Sequence, residues 1–101
     1  MTTYTVDYFI DKFTAIDDEL WTTGAFHDVN GCKCALGHCG MDHPHHTSVE
    51  ALALIALFDD AALSVVGVND GLSAQYTQDT PKARILAALS DIKKTQADAN
   101  Y

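Results

Sequence analysis

Residues 25–37 read AFHDVNGCKCALG, and the Asn30-Gly31 pair inside them is the chain's strongest hairpin signal. An Asn-Gly turn between two short runs favours a two-residue hairpin loop. That turn sets the register. Val29 faces Cys32, Asp28 faces Lys33, His27 faces Cys34 and Phe26 faces Ala35. Opposite charges at Asp28 and Lys33 support this pairing. One face then carries Ala25, His27, Val29, Cys32, Cys34 and Leu36 and is expected to be buried. The other carries Phe26, Asp28, Lys33 and Ala35 and is expected to be wet. A lone hairpin is marginal in water, so its apolar face must lie on helices.

The flanking segments predict those helices. Val6, Phe9, Ile10, Phe13, Ile16 and Leu20 recur at the helical period of about 3.6 residues. Thr5 is the expected N-cap, with Asp7 in the first turn where the dipole favours an acid. DDELW at 17–21 reads as a last turn or a short separate helix, which Gly24 closes. TSVE at 47–50 has the form of a capping box, with Thr47 as cap and Glu50 reaching back. The segment Val49 to Phe58 is apolar almost all round and is expected to be the buried central helix. Asp59-Asp60 suits a helix end badly, so the helix should stop or restart there. Leu63 to Val66 suggests a short strand, and Asn69-Asp70-Gly71 a second turn. Thr80 caps the last helix, Pro81 takes its first position, and Ile85, Leu86, Leu89 and Ile92 form its core stripe. The polar tail from Thr95 is expected to fray. The predicted fold is α+β: one small domain over residues 1–101, with three main helices packed on a β-hairpin or small antiparallel sheet and an ordered core at about 5–94.

Composition narrows the function. Acidic residues outnumber basic ones 14 to 6 among 101, for a net charge of −8. Such a surface repels phosphate backbones and anionic membranes, which argues against nucleic-acid binding and membrane association. It serves solubility first and nucleic-acid mimicry only second. The longest apolar run, Ala51 to Phe58, is too short to span a bilayer. The N-terminal MTTYTVDYF has no signal-peptide form. Three cysteines, two of them spaced Cys-x-Cys, do not form a secreted disulfide framework. A reducing cytoplasm is expected.

Cysteine and histidine crowd residues 31–46, GCKCALGHCGMDHPHH. The first reading is structural: a turn at Gly37 and Gly40 that leads into the capped helix. The second is a structural zinc site on Cys34, Cys39, His43 and His46, although the spacing lacks paired Cys-x2-Cys knuckles. The third is a nucleophilic pair of Cys34 and His27, which lacks an orienting third residue. Elsewhere, Lys82 and Arg84 stand at the start of the last helix, just after Asn69 and Asp70. Helix N-termini with basic neighbours hold anions, so these four are the candidate ligand contacts. Trp21, the one tryptophan, is assigned to packing, with a ligand platform as its second use.

Trp21 and Gly24, Cys34-Ala35-Leu36-Gly37, a buried helix, Asn69-Asp70, and Thr80-Pro81 follow one another in order. In this the chain resembles a group of small uncharacterised domains found in bacteria and bacteriophages, over roughly Phe9 to Ile92. The resemblance implies a small accessory protein, often phage-borne, and no particular reaction. HCGMDHPHH has no place in that pattern. The expected function is a non-catalytic binding module that self-associates, needs no cofactor, and acts in counter-defence. It would sequester a small anionic, nucleotide-like signal or bind a host protein in the host cytoplasm. The alternative is a zinc-stabilised domain.

Overall fold

The structure, a computed structural model, describes residues 4–41 and 48–99. Five α-helices occur among them: α1 Val6–Thr14, α2 Ala35–His38, α3 Val49–Asp60, α4 Val65–Asn69 and α5 Pro81–Ala99. A single 3₁₀ turn, Asp18–Leu20, follows α1. No strand is formed among the described residues, and the only sheet-like pairings are isolated bridges of Lys33 with Trp21 and with His27. The fold is helical, and the expected α+β arrangement on a hairpin is corrected accordingly.

The hairpin fails at Asp28. Its Oδ1 accepts from the amides of Asn30 (2.9 Å) and Cys32 (3.0 Å). Gly31 N–H donates to the Asp28 carbonyl at 3.2 Å, and Asp28 N–H to the Cys32 carbonyl at 2.8 Å. A short acidic side chain has taken up amides that a tight ladder needs, as Asx residues do in turns. The same two amides hold the Asp28 carboxyl below its usual range, the Cys32 amide most strongly. The register moves by one residue, so His27 opposes Lys33 and not Cys34. Val29, expected in the core, is fully exposed, and His27 and Ala25 are exposed too. Lys33 also pairs with the end of the 3₁₀ turn and the chain that follows it: its N–H donates to the Leu20 carbonyl (2.9 Å), and its carbonyl accepts from Thr22 N–H (3.0 Å).

The expected strand at 63–66 is also a helix. Ser64 Oγ accepts from Gly67 N–H at 3.1 Å and caps α4, which overrides the strand preference of Val65-Val66. Ser48, not Thr47, caps α3 through the Ala51 amide at 3.0 Å; Thr47 lies outside the described residues. With Ser48 as the cap, Glu50 takes the second helical position and not the third that a capping box uses. It reaches α1, where it accepts from the Tyr8 hydroxyl and pairs with Lys12 Nζ at 2.7 Å.

The central helix is α5, not α3. Its Ile85, Ala88, Leu89 and Ile92 are buried, and it packs against α1, α2 and α4. Thr5 caps α1 and Thr80 caps α5, both as expected, and α5 continues past Thr95. Phe9 and Phe13 of α1, Leu54 and Phe58 of α3, and Ile85 and Leu89 of α5 are fully buried. Each contributes roughly 1.5–3 kcal/mol of burial before conformational entropy is counted.

Asn69, at the end of α4 and only 1% exposed, joins these pieces. Its Oδ1 accepts from the Ala35 amide, the first of α2, at 3.0 Å. Its Nδ2 donates to the Thr22 carbonyl (3.0 Å) and to Asp70 Oδ1 (2.9 Å). Its own carbonyl accepts from Arg84 Nη2 of α5 at 2.8 Å. Arg84 is 8% exposed and has no carboxylate partner among the described residues. Instead it donates to the carbonyls of Val68 (3.1 Å), Gln78 (2.7 Å) and Asn69. A cation suits the negative pole of α4. Gly71, at φ +79°, turns the chain away there, and any side chain would begin 3.4 Å from the guanidinium.

Asn69→Ala strands the Ala35 amide and the Thr22 carbonyl in the interior, at about 1–3 kcal/mol for each unmade buried bond. The variant should melt roughly 10 °C or more below the parent. Asn30→Ala, at an exposed loop position, should melt within about 2 °C of it. Thermal melts followed by circular dichroism check both.

Candidate functional site

α2 is one turn long and survives because both ends are tied. Cys34 is its N-cap: Sγ accepts from the Gly37 amide at 3.5 Å while Asn69 takes the Ala35 amide. Gly37 is obligatory, since a Cβ there would sit 2.0 Å from the Phe26 carbonyl oxygen. That close approach lays the 24–26 loop over α2, and the loop's other end is pinned by Gly24 N–H donating to Asp70 Oδ1 at 3.1 Å.

Between this loop, the start of α2 and one face of α4 lies a cleft of about 320 Å³. Gly24, Ala25 and Phe26 line it from the loop, Cys34, Ala35 and Leu36 from the start of α2, and Val65, Val66, Asn69 and Asp70 from α4 and its end. The volume is at the low end of small-ligand pockets. Its lining is largely apolar and includes one charged side chain, Asp70. Asp70 Oδ1 is committed to Gly24 and Asn69. A second depression of about 230 Å³ lies beside Tyr76 and Asp91, where the Tyr76 hydroxyl donates to Asp91 at 2.9 Å. That pair satisfies itself.

The candidate residues separate. Asn69 and Asp70 stand together at the cleft. Arg84 lies behind them, its donors spent on backbone carbonyls. Lys82 points to the end of α1 and donates to the Thr14 carbonyl at 3.1 Å. Neither cation lines the cleft. At the start of α5, Pro81 has no amide and the Ala83 amide goes to Thr80 Oγ1 at 3.1 Å. Trp21 is buried away from the cleft, between Phe13 (ring centroids 5.3 Å apart) and His38 (4.8 Å). Its Nε1 is buried without a partner among the described residues.

Cys34 and Cys39 stand at the two ends of α2. Burial pushes the Cys34 thiol up and the Cys39 thiol up to about 12, so both are protonated near neutrality. His43 and His46 lie outside the described residues. Among the described residues, no three His, Cys, Asp or Glu side chains gather as a metal-binding group. His27 is exposed, and the register that would pair it with Cys34 does not form. Sequence reasoning missed the loop 24–26 and Val65-Val66 as cleft lining. Ser64, as a cap, was the available signal for the second.

No helix among the described residues is long and apolar enough to cross a membrane. The chain matches no family model, no curated protein and no solved structure.

His38 supplies a pH-dependent signal. Its Nε2–H donates to the Leu20 carbonyl at 3.1 Å, and burial holds its pKa below the ordinary 6.5. A base with a depressed folded pKa contributes stability that is present above 6.5 and lost as pH falls through the folded value. Trp21 fluorescence should fall in the same step, because an imidazolium quenches an indole in contact with it, and the two ring centroids are 4.8 Å apart. The midpoint should lie below 6.5, and His38→Gln should remove the step. A fluorimetric pH titration of both proteins measures this.

Proposed function

We propose that the protein is a non-catalytic binding module whose cleft takes an apolar side chain presented by a partner protein, with a basic residue beside it. The observation that carries this is the cleft itself: a largely apolar lining with a lone carboxylate, Asp70. An apolar pocket supplies affinity and a single charge supplies orientation. The net charge of −8 steers a basic partner surface toward it.

Of the two partners expected from the sequence, the geometry favours the protein over the small anion. The cations proposed for an anion, Lys82 and Arg84, have donors engaged by the ends of α1 and α4. An anion in the cleft would meet Asp70 with no cation in the lining. The protonated Cys34 thiol adds polarisable apolar surface to the lining and no nucleophile at neutral pH. An accessory protein of this kind acts by occupying a basic surface on its target.

The test is a titration of isotope-labelled protein with two capped dipeptides, Leu-Arg and Leu-Glu, followed by amide chemical shifts. Leu-Arg should move the amides of Gly24, Phe26, Ala35 and Asp70, and Leu-Glu should bind more weakly. Ala25→Trp should fill the cleft and abolish binding. Asp70→Asn keeps an acceptor for Gly24 and should weaken Leu-Arg by about threefold, the scale of one exposed ion pair. Equal binding of the two dipeptides, or shifts confined to other surfaces, refutes the proposal.

A further inference from the structure

The outer face of α3 departs from its surroundings in two ways. Ala51, Leu54 and Phe58 bury the inner face, yet Val49 is 72% and Leu52 55% exposed, and Ala56 beyond them is exposed as well. These outward residues follow one another at helical spacing and form an apolar strip over the first two turns. A helix apolar all round is normally covered on all sides. The same helix ends in Asp59 and Asp60, both exposed, with no basic residue in its last turn. Two carboxylates at the negative pole of a helix are unfavourable. Nothing within the described chain relieves either feature.

We propose that α3 is the interface of a homodimer, in which two copies pair antiparallel about a twofold axis across this face. Self-complementarity of size supports a second copy as the occupant. Placing Val49 of one copy beside Asp59 of the other sets Leu52 against the partner copy's Ala56, and Ala56 against its Leu52. Each large residue meets a small one, twice, as an isologous contact requires. The charges match in the same register. Asp59 and Asp60 of each copy come to the N-terminal end of the other α3, where the helix dipole is positive. There Ser48 satisfies the Ala51 amide. One arrangement thus covers the apolar strip and relieves the acid pair. Three outward apolar side chains per copy fall well short of the roughly 20–30 residues a side of a standard interface, so the dimer is weak and concentration-dependent. No α3 residue lines the cleft at α2 and α4, so the proposal is independent of the cleft and leaves it open.

Sedimentation equilibrium over a concentration series tests it. The weight-average mass of the parent protein should rise from that of one chain, 10.9 kDa, toward twice that value. Leu52→Glu, a change at an exposed position, should stay at one chain with its circular dichroism spectrum unchanged. Ala56→Leu discriminates further. It adds apolar surface, so an unspecific hydrophobic contact would tighten. In the antiparallel pairing it fills the site of Leu52 twice, and should raise the dissociation constant roughly tenfold or more. A parent protein that stays at one chain at every concentration overturns the proposal and leaves the face to a different protein. An Ala56→Leu variant that associates as well as the parent overturns the pairing.

Discussion

Every hydrogen-bonding atom of the Asn69 side chain is spent inside the fold, and the arrangement of the small helices follows from that. Its carbonyl oxygen starts α2, its amide nitrogen holds the Thr22 strap and orients Asp70, and its backbone carbonyl receives Arg84 from α5. α2 and α4 are four and five residues long, too short to persist alone. They hold because their ends are satisfied by one another and by α5. The cleft follows from the same constraint: the start of α2 lines it, together with Asn69 and Asp70.

An acidic chain uses its scarce cations with care. Lys82 closes the C-terminal end of α1, and Arg84 that of α4. Both sit at the start of α5, so the central helix grips its two neighbours by their negative poles. Side chains that in the sequence look like an anion-binding pair donate to backbone carbonyls of the fold. That leaves Asp70 as the charge that defines the cleft.

The long helices were legible because their signals are local. Thr5 and Thr80-Pro81 mark starts that a local side-chain cap sets, and the apolar period of α1 and α5 names the residues that are buried. The hairpin at Asn30-Gly31 was misread because a side chain competes with the ladder: Asp28 captures the Asn30 and Cys32 amides. α4 was misread because Val65-Val66 favours a strand in isolation, whereas the Ser64 cap and the packing on α5 decide in context. α3 was placed at the centre from its composition, but composition does not say which side of a helix finds a neighbour. At the cleft, Asn69 and Asp70 were legible as polar turn residues. The lining from the 24–26 loop was not, since it depends on Gly37 admitting the Phe26 carbonyl against α2.

Asn69 locks α2 to α4, and hydrogen exchange at the Ala35 amide reports on that lock. First-turn helix amides have no intrahelical acceptor and ordinarily exchange fast. If Asn69 Oδ1 holds this one, it should exchange as slowly as the core amides of α5 around Leu89, through global unfolding alone. An Ala35 amide that exchanges orders of magnitude faster than those of α5 would contradict the account.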